Sequence, residues 1–211
     1  MIYDLFPTAI GFYNLDRKLS NQELKTILNL KTMGNTGNRV SVDKSILKKK
    51  SLDKLNTFFN YSLQDYVKKT ITPIDTCEYY ITSSWANYNA EGEYHFSHNH
   101  ENSLVSAVFY VNAVKGRDCI VFEKNTAQHM TTQLMTPDTK VHNPYNSTTW
   151  KYEVETNQLY FFPSHLIHLV PPVDEGEERI SVSFNVFACG DIGELNFKKA
   201  TPCSGLLRGE Q

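Results

Sequence analysis

The sequence predicts a mainly β domain of the jelly-roll, cupin-like kind, with N-terminal helices packed on its outside. Two observations carry this expectation. From Cys77 onward the chain runs in short stretches rich in Tyr, Val, Ile, Phe, Thr and Ser, separated by turn-like clusters, which is how antiparallel strands read. Within them, a histidine pair at alternate positions of one strand is followed by a distant third histidine, the arrangement by which a barrel holds a metal across its mouth.

At 211 residues, with 40% hydrophobic and 12% aromatic content, the chain can bury one sizeable core. We therefore expect a single domain over 1–211, with a helical part at 1–75, a jelly-roll core at 76–190 and a C-terminal tail at 191–211 that crosses the surface loosely. The 21 Lys+Arg against 23 Asp+Glu leave a formal net charge of -2, which gives no electrostatic footing for nucleic acid or an anionic membrane surface. Met1 is followed by Ile-Tyr-Asp-Leu-Phe-Pro, without a basic start or a long apolar stretch, so the expectation is a soluble, cytoplasmic protein with no membrane segment. Cys77, Cys119, Cys189 and Cys203 are scattered without metal or redox spacing and read as ordinary thiols.

Along the chain, Ser20 with Glu23 makes a capping box that opens a short helix to about Leu30, and Gly34-Asn35-Thr36-Gly37-Asn38 breaks the pattern. A second helix follows. Leu52, Leu55, Phe58, Phe59, Leu63, Tyr66 and Val67 recur at three- and four-residue steps, and Ile71-Thr72-Pro73 stops the run, so one apolar face is available to cover a sheet. Strands are expected at 77–88, 94–100, 104–112, 117–123, 150–155, 158–162 and 178–187. Residues 124–149, rich in Thr, Asn, Gln and Pro, read as a lid or binding loop that gates the substrate.

Tyr94-His95-Phe96-Ser97-His98-Asn99-His100 holds three of the seven histidines. Alternate side chains of a strand share a face, so His98 and His100 are expected to point together and His95 oppositely. Two imidazoles at that spacing can chelate one metal, and His168, after the aromatic run Phe161-Phe162-Pro163-Ser164, is the best third ligand. An isolated pair would equally line a polar groove. His165 and His95 compete for ligand roles, while His129 and His142 fall in the irregular segment and are expected to face solvent or substrate.

The stretch Arg179-Ile180-Ser181-Val182-Ser183-Phe184-Asn185-Val186 alternates strictly. Ile180, Val182, Phe184 and Val186 suit a core, and Arg179, Ser181, Ser183 and Asn185 suit a polar cavity. The turn-forming Pro171-Pro172-Val173-Asp174-Glu175-Gly176 lets this strand return beside the metal strand. A buried guanidinium matches a carboxylate, and Ser181 on the same face can add a hydrogen bond. The other reading is an exposed sheet face with routine polar alternation.

Together these residues resemble the iron(II)/2-oxoglutarate-dependent oxygenases, most closely a bacterial and phage subgroup. That subgroup carries a histidine-x-histidine segment, an aromatic-Pro-Ser segment before the distal histidine, and an arginine-isoleucine-serine strand ending in Ser-Phe-Asn. The likeness runs from Trp85-Ala86-Asn87 to Asn185, with an echo in Leu5-Phe6-Pro7. It implies a double-stranded β-helix in which His98, His100 and His168 bind Fe(II), and Arg179 and Ser181 hold the distal carboxylate of the cosubstrate 2-oxoglutarate. Tyr110 and Asn87 would be further cosubstrate contacts or packing residues. The implied reaction is hydroxylation of a small-molecule or peptide substrate with O2, releasing succinate and CO2.

Two departures stand out. Most of the wider superfamily has Asp or Glu two residues after the first histidine, where this chain has His100. Three neutral imidazoles leave the metal its full charge, which alters affinity and reactivity, unless Glu101 replaces one of them. Thr156-Asn157-Gln158 also stands where the subgroup has a glycine turn. Rival readings are a three-histidine enzyme that does not use 2-oxoglutarate, either a cupin-like thiol dioxygenase or a zinc hydrolase, and a non-catalytic jelly-roll binding module.

Overall fold

The computed structural model describes residues 2, 4, 6–124, 138–176, 178–192 and 199–201. Its strands are β1 (Gly11–Asn14), β2 (Thr32–Asn35), β3 (Asn38–Ser41), β4 (Cys77–Asn89), β5 (His95–His98), β6 (Val105–Asn112), β7 (Cys119–Glu123), β8 (Thr149–Glu153), β9 (Gln158–Pro163), β10 (Ile167–Val170), β11 (Arg179–Ile192) and β12 (Lys199–Thr201). Its α-helices are α1 (Asn21–Leu28) and α2 (Asp53–Thr70). The strands form a larger sheet in the order β1-β9-β6-β11-β4-β3-β2, with β12 pairing β11, and a smaller sheet in the order β5-β10-β7-β8. This is the mainly β, double-stranded β-helix architecture that the sequence predicts, with helices on its outside.

Strand alternation produces the layers. On β6, Val105, Ala107, Phe109 and Val111 enter one buried cluster, while Val108 and Tyr110 enter another. The first cluster lies beneath α2, whose Leu55, Phe59, Leu63, Tyr66 and Val67 are buried. Phe59 stacks on Phe184 with ring centroids 4.9 Å apart and tilts against Phe109 at 5.2 Å. Burial of each such side chain contributes roughly 1.5–3 kcal/mol. The second cluster joins the two sheets through Ile120, Phe122, Tyr160 and Phe162.

The local chemistry explains several element ends. Helix α1 opens on the expected capping box: Glu23 N–H donates to Ser20 Oγ at 3.2 Å, and Ser20 N–H donates to Glu23 Oε2 at 2.7 Å. Glu23 is itself buried and paired with Arg17 at 2.6 Å. At the missing glycine turn before β9, Asn157 takes a φ of 73°, the left-handed conformation that asparagine tolerates better than most residues.

The structure differs from expectation at both ends of the chain. The region 1–75 also supplies β1, β2 and β3 to the larger sheet, and Gly34–Asn38 belongs to a β2–β3 hairpin rather than a mere break. Four-residue strands are too short for periodicity to reveal. Beyond Gly190, β11 continues to Ile192 and residues 199–201 pair back onto it, so these residues of the tail do not cross the surface loosely. Cys77 and Cys119 are free thiols, whereas Cys189 is disulfide-bonded. Residues 125–137, and with them His129 and half of the expected lid, lie outside the described residues. Among the described residues, no helix is long and apolar enough to cross a membrane.

Candidate metal centre

The smaller sheet brings the histidines together. His98 on β5 and His168 on β10 are register partners, so their side chains share the face turned toward the larger sheet. His100 lies two residues past the end of β5, where its N–H donates to Ser164 O at 2.9 Å. Ser164 is fully buried, and its hydroxyl bonds Ser103 and Ser106 at 2.7 and 2.8 Å. The Pro163-Ser164 turn thus anchors the segment that carries His100.

One side-chain nitrogen from each of His98, His100 and His168 lies within 4.8 Å of the others. His98 Nδ1–H donates to Phe96 O at 2.7 Å, and His168 Nδ1–H donates to Leu166 O at 3.0 Å. A neutral imidazole protonated at Nδ1 presents a bare lone pair at Nε2, so both rings are held in a ligating tautomer. Burial and the neighbouring imidazoles push His168 down to about 3 and His100 to about 4, and burial lowers His98 as well. Rings that stay neutral can all act as metal ligands. Glu101 and His165 are exposed and stand outside the group, as does exposed His142.

The expected orientation of His95 is corrected. A bulge interrupts the β5–β10 pairing between His95 and His98, which cancels simple alternation. His95 consequently lines the same cavity, with its ring centroid 4.2 Å from that of His98. No residue type in the run signals a bulge.

The cavity floor comes from β4, β6 and β11. Arg179, Ser181 and Ser183 of β11 lie opposite Asn89, Asn87 and Trp85 of β4, and all six line the cavity with the three clustered histidines. Ser181 also faces Tyr110 of β6, which is buried, so that its hydroxyl is held well above the usual tyrosine range. Asn87 Nδ2 donates to Ser183 Oγ at 2.9 Å and to Ser181 Oγ at 3.4 Å, and Asn87 Oδ1 accepts from Trp85 Nε1 at 3.1 Å. The Trp85 ring tilts over His100 at 5.7 Å. Trp85 and Asn89 carry no site expectation from the sequence, although counting two positions either way from Asn87 finds both.

Arg179 is 3% exposed, and its Nε has no hydrogen-bond partner. Among the described residues, no carboxylate forms an ion pair with it. The carboxylate that acts on it electrostatically, Asp118, is engaged by Arg117 at 2.8 Å and by the Val114 N–H at 2.7 Å. Burial pulls the guanidinium below its usual range, yet arginine keeps its proton in proteins. A buried, unpaired cation is costly unless an anion joins it. The donor set therefore fits a divalent cation at the imidazoles and a carboxylate at Arg179. A separate cleft of about 320 Å³ between Ser45–Lys48, α2 and Tyr80–Ser84 contains none of these groups.

Fold and donor set together suit the chemistry of an iron(II)- and 2-oxoglutarate-dependent oxygenase. The family model described as "Putative 2OG-Fe(II) oxygenase" matches residues 83–185, from β4 through most of β11. The cofactors of the family so described are iron(II) and 2-oxoglutarate.

Solved structures agree in fold. An oxidoreductase of the 2OG-Fe(II) oxygenase family from Burkholderia pseudomallei superposes with a TM-score of 0.55 at 13% identity, covering 83% of this chain and 84% of its own. HygX from Streptomyces hygroscopicus, with nickel and 2-oxoglutarate bound, gives 0.55 at 10% identity, covering 96% and 90%. A prolyl-4-hydroxylase from Pseudomonas putida gives 0.51 at 14% identity, covering 84% and 92%. No curated protein sequence matches the chain.

Proposed function

We propose that this oxygenase hydroxylates a small-molecule or peptide substrate, with His98, His100 and His168 as the iron ligands and Arg179 with Ser181 holding the distal carboxylate of 2-oxoglutarate. The observation that carries this reading is the unpaired Arg179 guanidinium, buried in the cavity onto which the three imidazoles converge. Bound iron(II), with 2-oxoglutarate and O2, supplies the oxidation and leaves succinate and CO2 as co-products.

The chain's own residues do the rest. Backbone carbonyls of Phe96 and Leu166 fix the rings of His98 and His168 so that each Nε2 is free to ligate. Arg179 fixes the cosubstrate's far end, with Ser181 and Tyr110 beside it on the floor. Asn87 orients the Ser181 and Ser183 hydroxyls. Trp85, Phe162 and Phe122 surround the imidazoles with ring surface that excludes water. We read the chain as one domain, since strands from the 1–75 region complete the sheet that carries Arg179.

The test is anaerobic reconstitution with iron(II), followed by succinate formation from 2-oxoglutarate. Wild-type protein is expected to turn over, and Arg179→Ala to lose most of that turnover while keeping its iron. Iron-loaded wild-type protein that neither binds nor consumes 2-oxoglutarate would falsify the proposal and favour the three-histidine hydrolase or thiol dioxygenase.

A further inference from the structure

The cavity floor holds a second orphaned donor. Asn89 is 1% exposed and lines the cavity, and its Nδ2 has no hydrogen-bond partner. It stands directly opposite Arg179 across the β4–β11 pairing, and Arg179 Nε is likewise unpartnered. Directly opposed residues have Cβ atoms roughly 4.5–5.5 Å apart, near enough for both side chains to reach the oxygens of one carboxylate. A carboxylate has two oxygens with several acceptor positions.

The neighbouring amide on the same face is in a different state. Asn87 is committed within the protein at both ends, to Trp85 through Oδ1 and to Ser181 and Ser183 through Nδ2. Of the two asparagines that β4 turns toward the cavity, Asn89 is therefore the one with donor capacity left over. Buried donors are nearly always satisfied, and two orphans at opposed positions on one cavity floor point to one acceptor-rich ligand group.

The geometry points to Asn89 as a second anchor, with Arg179, for the distal carboxylate of 2-oxoglutarate. The inference rests on the proposed oxygenase reading and adds a specificity-determining residue to it. A rigid amide donor beside a guanidinium fork recognises a carboxylate end over a neutral or methyl end, so Asn89 contributes to the choice of a dicarboxylic 2-oxo acid.

The test uses the full chain loaded with nickel(II), with 2-oxoglutarate binding followed by calorimetry and thermal melting recorded without the ligand. Asn89→Ala is expected to keep stoichiometric nickel, to melt no lower than wild type because its donor has no protein partner, and to bind 2-oxoglutarate roughly tenfold more weakly or worse. Asn89→Asp is expected to melt higher, because its carboxylate pairs with Arg179, and to lose 2-oxoglutarate binding. If wild type binds the ligand and Asn89→Ala binds within twofold of it, Asn89 is no anchor. An Asn89→Ala protein that melts well below wild type would instead make the residue structural and also overturn the inference. Failure of wild type itself to bind 2-oxoglutarate sinks the underlying oxygenase reading.

Discussion

His100 Nε2 lies 3.3 Å from His168 Nε2, with the two rings parallel to within 3°. His168 Nδ1 is already a donor to Leu166 O, so a neutral His168 offers only a lone pair toward His100. The facing nitrogens are satisfied either by a proton on His100 or by a cation that both lone pairs share.

This arrangement predicts an unequal response to substitution. His98→Ala and His168→Ala should each lose stoichiometric iron(II), measured by metal analysis of protein loaded and desalted without oxygen. His95→Ala should retain it, because His95 stands outside the three-nitrogen group. His100→Asp should also retain it, since a carboxylate there restores the commoner ligand type. Full iron content in either of the first two variants would overturn the ligand set.

Arg179 links stability to ligand binding. Without its ligand it is a buried charge with an unpartnered Nε, and replacing such a group by an apolar one of similar size is often stabilising. Arg179→Met is therefore expected to gain about 1–3 kcal/mol in the ligand-free protein, seen as a higher melting temperature, while losing the further rise that 2-oxoglutarate gives wild type. A lower melting temperature would mean that the guanidinium is satisfied within the protein.

Acid should act on the first helix. Burial alone would raise the Glu23 carboxyl, but hydrogen bonds from Arg17 and Ser20 outweigh it and leave the group below the usual range. A folded-state value below the unfolded one gives stability that is complete above the unfolded pKa, about 4.3, and is lost as pH falls through the folded value. Glu23→Gln should cost about 1–2 kcal/mol near neutrality, and melting curves recorded down the acid limb should show its deficit against wild type shrinking. A deficit independent of pH would show that charge plays no part.

The sequence was most legible where alternation is long and strict. The cavity residues Arg179, Ser181 and Ser183 and the core residues Ile180, Val182, Phe184 and Val186 could be separated by counting in twos, and the structure divides them the same way. The seven-residue histidine run was harder. Its strand stops at His98, a bulge brings His95 inward, and His100 is placed by a backbone bond to Ser164. None of those causes lies within the run itself. The four-residue strands β1, β2, β3 and β10 escaped notice because their identity depends on the partner they pair with, not on their own composition.

The strict alternation of β11 makes the strand sensitive to parity. Its even-numbered residues from Ile180 to Val186 hold the helix-covered core, and its odd-numbered residues from Arg179 to Ser183 face the cavity. Point substitutions can therefore reshape ligand recognition with little effect on packing, or adjust packing without touching recognition. A one-residue insertion or deletion early in the strand exchanges the two sets and disrupts both together. Length changes in steps of two leave each set on its own face, so lineages of this fold should vary this segment by exchange rather than by single-residue gain or loss.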